Sequence, residues 1–215
     1  MRTAAKKPRR RTQEERREEA ETRLLEAAIK MIAENGVDAF TLADVGEAAG
    51  YSRGLPAHYF GTKSDLLIKV IGYIRAKYLD SWRTFEGNPH VTADDIIEEV
   101  DSFIERSMKN PTAIRAFLAA MSGALYNSKL ADVASKVNAD EVAKFEDAFR
   151  NGIEHGEINP TIDPHRTAIM LIATVRGIVM QWLLNPKKTE LEALAKELLT
   201  LMRFTIRFIK HDSRY

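Results

Sequence analysis

Residues 41–63, TLADVGEAAGYSRGLPAHYFGTK, combine side chains that proteins use to contact DNA. Arg53 can donate paired hydrogen bonds to guanine or bind a phosphate, and His58, Tyr59 and Lys63 carry groups that contact phosphate oxygens. The residues around Arg53 are small, which lets the backbone approach a duplex closely. The combination favours a nucleic-acid contact over a catalytic centre.

Catalytic and metal-binding patterns are absent from the sequence. The five histidines (His58, His90, His155, His165 and His211) are scattered, and no pair has a metal-ligand spacing such as HExxH. The chain has no G-x-S-x-G nucleophile elbow and no phosphate-binding glycine loop. Because it has no cysteine, it has no disulfide, thiolate or cysteine-zinc chemistry, which fits a reducing cytoplasm. The sequence therefore predicts a cytoplasmic protein that is not an enzyme and uses no cofactor or metal.

Charge is unevenly distributed along the chain, although the formal net charge is only +1. Residues 1–85 contain 16 Lys and Arg against 12 Asp and Glu, and subtraction from the totals of 32 and 31 leaves 16 against 19 for residues 86–215. The excess is sharpest in MRTAAKKPRRR, which has six basic residues and no acidic one. We expect this N-terminal arm to be either a flexible solubilising tail or a DNA contact through Arg9, Arg10 and Arg11.

Helical periodicity runs through nearly the whole chain, and no run of alternating residues indicates a strand, so we predict an all-α fold. The most apolar run, residues 167–184, contains Arg176 and Gln181 and predicts a buried helix rather than a membrane span. Helix caps are predicted at Gly36, Thr41, Ser52, Thr62 and Asp163. The first predicted helix begins at about residue 14 or 22 and ends at residue 34. The other predicted helices cover residues 42–48, 52–59, 63–85, 92–109, 112–127, 128–155, 164–184 and 189–210.

The two short helices that meet at AAGYS are a candidate helix-turn-helix, a motif whose second helix enters the major groove by its N-terminal end. Helical hairpins with a glycine turn are also common in all-α proteins, and Tyr59 and Phe60 could both be core residues. Spacing alone therefore supports DNA binding and a plain helical hairpin about equally.

A resemblance to a known family favours the first reading. The stretch LLEAAIKMIAENGVDAFTLADVGEAAGYSRGLPAHYFGTKSDLLIKVI resembles the DNA-binding domain of the TetR/AcrR transcriptional regulators. The resemblance covers roughly residues 20–75. It rests on an alanine-rich first helix and on Gly36, Phe40, Thr41, Val45, Ala48, Ala49, Gly50, Ser52, Tyr59, Phe60, Lys63, Leu66 and Leu67.

The resemblance implies an all-helical homodimer with a three-helix DNA-binding domain and a larger helical domain that binds a small effector and dimerises. On this basis residues 1–18 are the basic arm, 19–64 the DNA-binding domain and 65–215 the effector-binding and dimerisation domain. Most proteins of the family are repressors released by the effector, and a minority activate. The alternatives are an activator, an effector-independent DNA-binding protein, or a helical enzyme or small-molecule carrier.

The resemblance also assigns residues to the two sites. Val45, Phe60, Leu66 and Leu67 are expected in the core. The sequence departs from many relatives at GLPA, so the recognition helix is expected to begin a residue or two late, which makes Arg53 the main candidate for reading a base. The residues expected at DNA are Thr41, Ser52, Arg53, Gly54, Leu55, Pro56, His58, Tyr59 and Lys63.

The C-terminal part is expected to bind the effector and a second copy of the chain. The last two long helices, HRTAIMLIATVRGIVMQWLL and TELEALAKELLTLMRFTIRFIK, are expected to form the dimer interface, which would suit a pseudo-palindromic operator. Glu98, Asp101 and Glu105 either oppose a cationic ligand or form a solvated face. The candidate effector contacts are Tyr78, Trp82, Phe103, Phe117, Met121, Tyr126, Phe145, Phe149, Met170 and Trp182, although residues of these types are more often plain core than ligand contacts.

Overall fold

The computed structural model describes residues 12–79 and 87–207. Within these ranges the chain is helical and contains no strand, which confirms the all-α prediction. The helices are α1 (Gln13–Asn35), α2 (Leu42–Ala48), α3 (Leu55–Phe60), α4 (Lys63–Ile74), α5 (Ala93–Lys109), α6 (Pro111–Gly123), α7 (Ser128–Glu154), α8 (Pro164–Leu184) and α9 (Leu191–Ile206). A π-helical turn, Arg75–Leu79, extends α4, and a 3-10 turn, Ala124–Tyr126, follows α6.

Side-chain caps fix the starts of most of these helices. At α2 the Asp44 N–H donates to Thr41 Oγ1 at 3.3 Å, and the Thr41 N–H donates to the Asp44 carboxylate at 2.8 Å. The Thr62 and Asp163 side chains also cap α4 and α8, as predicted, by accepting from the N–H groups of Asp65 and Arg166. Gly36 ends α1 with a φ of +80°, the glycine stop that was predicted. These helix boundaries are therefore set locally by the sequence.

The predicted cap at Ser52 is wrong, because α3 begins at Leu55 with Gly54 as its cap residue. A helix that started at Ser52 would need the backbone N–H of residue 56 to donate to the Ser52 carbonyl, and Pro56 has no N–H. The later start places Pro56 in the first turn, where the missing donor is not needed. The Ser52 carbonyl instead accepts from the Leu55 N–H at 3.1 Å.

The predicted fourth helix, 63–85, is described as far as residue 79. It is α-helical to Ile74 and then widens into the π turn, and residues 80–86 lie outside the described ranges. A π turn inserted in an α-helix commonly marks a functional position, because it shifts the side chains beyond it around the helix axis.

The buried side chains form two clusters. The first packs the four helices α1, α2, α3 and α4 against α6 and the start of α7. Its fully buried members include Leu24 and Phe117. The second joins α5, the end of α7, α8 and α9, and includes Ile96 and Phe149. Val45, Phe60, Leu66 and Leu67 are all buried in the first cluster, as predicted. That cluster fixes the N-terminal helices directly against the C-terminal ones. The domain boundaries at residues 18 and 64 stay a prediction.

Helix α8 is buried on one side only in the single chain. Ala168, Leu171, Val175 and Val179 are buried, whereas Met170 is 69% exposed. The prediction of a buried helix is therefore met on one side of α8 within the single chain. Among the described residues α8 is also the one helix long and apolar enough to cross a membrane, which is weak evidence because core helices share these properties.

Candidate nucleic-acid interface

The turn between α2 and α3 brings the two helices into close contact. Gly50 adopts a φ of +76°, which favours glycine, and the Tyr51 N–H donates to the Gly46 carbonyl at 2.8 Å. A Cβ added at Gly46 would lie 2.6 Å from the Ser52 carbonyl oxygen. The close packing of the motif therefore requires glycine at position 46, a residue that sequence reasoning missed.

Arg53 lies in the turn that precedes α3, and its side chain is 64% exposed. Its Nη1 donates to Oε1 of Glu47 at 2.6 Å. Because both side chains of this ion pair are exposed, the pair contributes little stability, and a phosphate or a guanine can replace Glu47. Glu47 was not identified from the sequence, and it holds the arginine at the exposed end of the motif.

Tyr59 and Lys63 are held by contacts within the protein. The Tyr59 hydroxyl donates to the Arg17 carbonyl at 3.4 Å, so in this arrangement its proton is not directed at a phosphate. Lys63 Nζ donates to the Phe40 carbonyl at 2.5 Å and lies 4.4 Å from the centre of the Phe40 ring. Two of the three N–H groups of Lys63 remain available for a phosphate oxygen.

The other predicted DNA contacts divide into exposed and packed residues. Thr41, Ser52, Gly54 and His58 are exposed. The prediction that Pro56 contacts DNA is wrong, because Pro56 is buried and presents no surface to DNA. Its Cδ would lie 3.1 Å from a Cβ at Gly46, so it packs α3 onto α2. Leu55 is likewise half-buried against the first core cluster. Arg9, Arg10 and Arg11 lie outside the described residues.

A second group of polar residues lies where α1 meets the end of α4. The Glu26 carboxylate accepts hydrogen bonds from Tyr73 Oη at 2.6 Å, Tyr78 Oη at 2.8 Å and Lys77 Nζ at 2.5 Å. We call these four residues the Glu26 junction. The prediction that Tyr78 contacts the effector is wrong, because the π turn directs Tyr78 toward α1, beside Tyr73.

The Glu26 junction shifts the ionisation of its members. Partial burial would raise the pKa of Glu26, but hydrogen bonds from Lys77, Tyr73 and Tyr78 outweigh it and hold this pKa below its ordinary value of 4.5. The hydrogen bond to Glu26 raises the pKa of Lys77. Burial, together with the hydrogen bond to Glu26, raises the pKa of Tyr73. At neutral pH the junction therefore holds a carboxylate and an ammonium group in contact.

An internal cavity of about 30 Å³ lies between α5, α6, α7 and α8. Its walls include Phe103, Phe117 and Phe145, three of the predicted effector contacts. They also include two buried carboxylates, Glu99 and Glu141, which the sequence analysis did not select. Glu99 lies one helical turn before Phe103 and so shares its face of α5, a signal that was available in the sequence. Glu98, Asp101 and Glu105 are exposed, which confirms their solvated-face reading.

The remaining predicted effector contacts lie elsewhere. Phe149 and Met170 line an open groove of about 400 Å³ between α8 and α9, and Trp182 lines a third, open pocket. Tyr126 is 92% exposed and Met121 packs against the first core cluster. Trp82 lies outside the described residues. Within the described part of the chain no three His, Asp or Glu residues are grouped in a way that could hold a metal ion.

Comparison with known families identifies both halves of the chain. Residues 24–70 match the family described as bacterial regulatory proteins, tetR family. Residues 95–203 match the family described as BetI-type transcriptional repressor, C-terminal, and cover slightly more than half of the 215 residues. The first match contains α2, α3 and the turn between them.

Individual relatives agree with these matches. The regulator CymR of Pseudomonas putida is 43% identical over 67 residues, which are 31% of this chain and 33% of CymR. The regulator TtgR, also of Pseudomonas putida, is 24% identical over 85% of this chain and 88% of its own. The structure of SmeT, repressor of a Stenotrophomonas maltophilia multidrug efflux pump, bound to triclosan shares the fold, with a TM-score of 0.77 and 20% identity over 92% of this chain and 98% of SmeT.

These relatives are transcriptional regulators, and the helix-turn-helix described above lies within the matched N-terminal segment. The chain belongs to the TetR family of DNA-binding transcriptional regulators.

Proposed function

We propose that this protein is a cytoplasmic, non-enzymatic homodimeric repressor that leaves its operator when a small molecule occupies the internal cavity. The observation that carries the proposal is the position of the π turn between two sets of contacts. Arg75, at its first residue, approaches Glu141 on the cavity wall at 4.0 Å, and Lys77 and Tyr78, in the same turn, contact Glu26 on α1. One short segment thus contacts both the cavity and the N-terminal helices.

DNA contact would come from the exposed end of the helix-turn-helix. Arg53 is the proposed base-reading residue, and Gly54 beside it lets the backbone approach the groove. Thr41, Ser52, His58 and two of the Lys63 N–H groups would bind the sugar-phosphate backbone, which fixes the register but carries little sequence information. Tyr59 acts as a DNA contact only if its hydroxyl leaves the Arg17 carbonyl.

The dimer would form through the exposed apolar faces of α8 and α9. In the single chain Met170 is 69%, Leu184 73% and Phe204 75% exposed. Exposure of these apolar side chains to water costs free energy, and burial against a second copy of the chain would remove that cost. Gly177 lies on the exposed side of α8 with open space around its Cα, which allows a partner helix to approach closely. A two-fold dimer presents two recognition helices to half-sites roughly 34–36 Å apart.

Release would follow from a shift between two arrangements of the dimer. A ligand that fits one arrangement better moves the population toward it. Because the π turn contacts both Glu141 and the Glu26 junction, a ligand that alters the Arg75–Glu141 contact changes how α4 lies against α1. That change would alter the separation of the two recognition helices.

Selection from random DNA duplexes, followed by sequencing, tests the proposed function. We expect the selected duplexes to share an inverted repeat, and we expect sedimentation to show two chains per duplex. Binding that depends on salt but not on sequence would contradict the proposal, since it would indicate phosphate contacts alone.

A further inference from the structure

Five charged side chains, three on the wall of the aromatic cavity and two arginines that contact the carboxylates of that wall, form a group that we call the buried charge cluster. They are Arg75 in the π turn, Glu99 and Arg106 on α5, Glu141 on α7 and Arg176 on α8. Glu99 and Glu141 are 2% and 9% exposed at their side chains, and the three arginines range from 16% to 22%. Three cations face two carboxylates, so the described part of the cluster has a surplus of one positive charge.

Among the described residues, Glu99 contacts one arginine of the cluster and Glu141 contacts two. Glu99 Oε1 accepts from Arg106 Nη2 at 2.9 Å. Glu141 accepts a short hydrogen bond from Arg176 Nη2, and it also lies 4.0 Å from Arg75 Nε. Arg176 Nη1 donates to the Asn138 side-chain oxygen at 2.7 Å. Glu141 therefore serves two guanidinium groups, and the contact with Arg75 is too long for a hydrogen bond.

Two buried donors in the cluster have no acceptor. The Nε groups of Arg75 and Arg106 are buried and make no hydrogen bond within the described structure. Unsatisfied buried donors are uncommon in folded proteins and call for a missing acceptor. A carboxylate supplies the acceptor pair that matches a guanidinium, and one negative charge equals the surplus of the cluster.

The rest of the cavity wall is apolar. Phe103, Phe117 and Phe145 stand beside Leu171, Ile172 and Val175. The present volume, about 30 Å³, is well below the roughly 150 Å³ of a cavity that holds benzene, so an aromatic ligand must displace wall side chains as it enters. An organic cation fits the cluster poorly, because it would add to the positive surplus and would have to displace an arginine from Glu99 or Glu141.

We propose that the effector is a monoanionic organic carboxylate with an aromatic or branched apolar body. Its carboxylate competes with Glu141 for Arg75 and Arg176, while its body lies among the three phenylalanines. That this ligand acts as an effector rests on the proposed function, but its binding to the cavity can be measured without DNA. The capture of Arg75 would act on the π turn directly.

Calorimetry on the DNA-free protein with two matched sets of probes tests the proposal. The sets are benzoate, benzamide and benzylamine, and 3-phenylpropanoate with its amide and amine. We expect at least one carboxylate to bind about tenfold more tightly than its amide, with the amine weakest. An amine or amide that binds as tightly as its carboxylate, or no carboxylate binding, would overturn the proposal.

Variants of the buried charge cluster test whether carboxylate affinity changes in the direction that the proposal predicts. Glu141→Gln removes the competing carboxylate, so carboxylate affinity should rise severalfold, whereas a cation-binding cavity would lose affinity. Glu98→Gln, on the exposed side of α5, is the matched control and should change nothing. If Glu141→Gln does not fold, Arg75→Met leaves the Glu141–Arg176 pair intact and should weaken carboxylate binding; unchanged binding would overturn the proposal.

DNA release is measured separately, so that the two proposals can fail independently. Carboxylate binding without operator release would support the ligand class and contradict the proposed function. Operator release by a non-acidic compound that binds in place of the carboxylates would leave the repressor function standing and overturn the ligand class.

Discussion

At the scale of single residues, Arg53 and Gly54 are the positions where DNA binding and folding can be separated. Arg53 is exposed and its only described hydrogen-bond partner is Glu47, so its removal costs the fold little. Gly54 has a φ of −85° and open space around it, so the fold does not require glycine there. Gly46 is the opposite case, because its missing side chain is required by the packing of α2 on α3.

Arg53→Ala should weaken binding to the preferred operator by about 1–3 kcal/mol and relax the base preference at one position of each half-site. The measurement is a titration against the operator and against single-base variants of it. Arg150→Ala is the matched control, since Arg150 is 57% exposed and bonded to Glu146 at 2.6 Å on α7. A loss of equal size on every sequence would make Arg53 a phosphate contact instead.

Gly54→Ala should leave the melting temperature nearly unchanged but reduce operator affinity, because the added methyl group occupies space at the proposed DNA surface. Gly46→Ala should destabilise the protein itself by about 1–3 kcal/mol, since its methyl group would meet the Ser52 carbonyl at 2.6 Å. Thermal unfolding and operator titration of both variants check the contrast. Full operator affinity in Gly54→Ala would place the duplex away from this residue.

At the scale of the elements, the π turn at the end of α4 determines how α4 contacts both α1 and α7. It directs Tyr78 and Lys77 to Glu26 on α1 and Arg75 to Glu141 on α7. A regular α-helix through residue 79 would distribute these side chains differently around the axis. The Glu26 junction therefore depends on the π turn as well as on residue types.

Glu26→Gln should lower the stability of the protein by about 1 kcal/mol at pH 7, because a neutral amide makes weaker hydrogen bonds with Lys77 and the two tyrosines. The pKa of Glu26 is lowered in the fold, so its contribution is fully present above the ordinary value of 4.5 and is lost as the pH falls through the native pKa.

Thermal unfolding from pH 7 to pH 3 measures this dependence. The gap between the native protein and Glu26→Gln should be largest near neutrality and should close under acid. Glu98→Gln, in which an exposed carboxylate is removed, should show no comparable gap. A gap that does not change with pH would mean that the charge of Glu26 has no part in the junction.

At the scale of the whole molecule, the exposed apolar faces of α8 and α9 support the proposed dimer. On α9, Leu201 and Phe204 are 57% and 75% exposed, and they lie beside the buried stripe that contains Leu198 and Met202. Such a surface suits a permanent interface between copies of the chain, and two copies are what a pseudo-palindromic operator requires.

Phe204→Glu should convert the dimer to a monomer at micromolar concentration and abolish tight operator binding, while the single chain keeps its helical content. Sedimentation and circular dichroism check the two parts. Lys109→Glu introduces the same charge on α5, where the Lys109 side chain is 70% exposed, and should leave the dimer intact. A native protein that sediments as a monomer would contradict the proposed assembly.

Most of the helices, most of their caps and the helix-turn-helix could be predicted from the sequence, because these depend on local spacing and on residues three or four positions apart. It also placed Val45, Phe60, Leu66 and Leu67 in the core. Even the late start of α3, which was expected in outline, follows from the missing N–H of Pro56.

The contacts that hold the site residues and the places where charges are buried depend on tertiary packing and could not be predicted. Lys63 meets Phe40 across 23 residues, Tyr59 meets Arg17 across 42, and Glu26 meets Tyr73 across 47. The buried charge cluster likewise draws on four separate elements. Helical periodicity specifies which face of a helix is buried, but the packing of helices against one another selects the partners, and no local spacing encodes that choice.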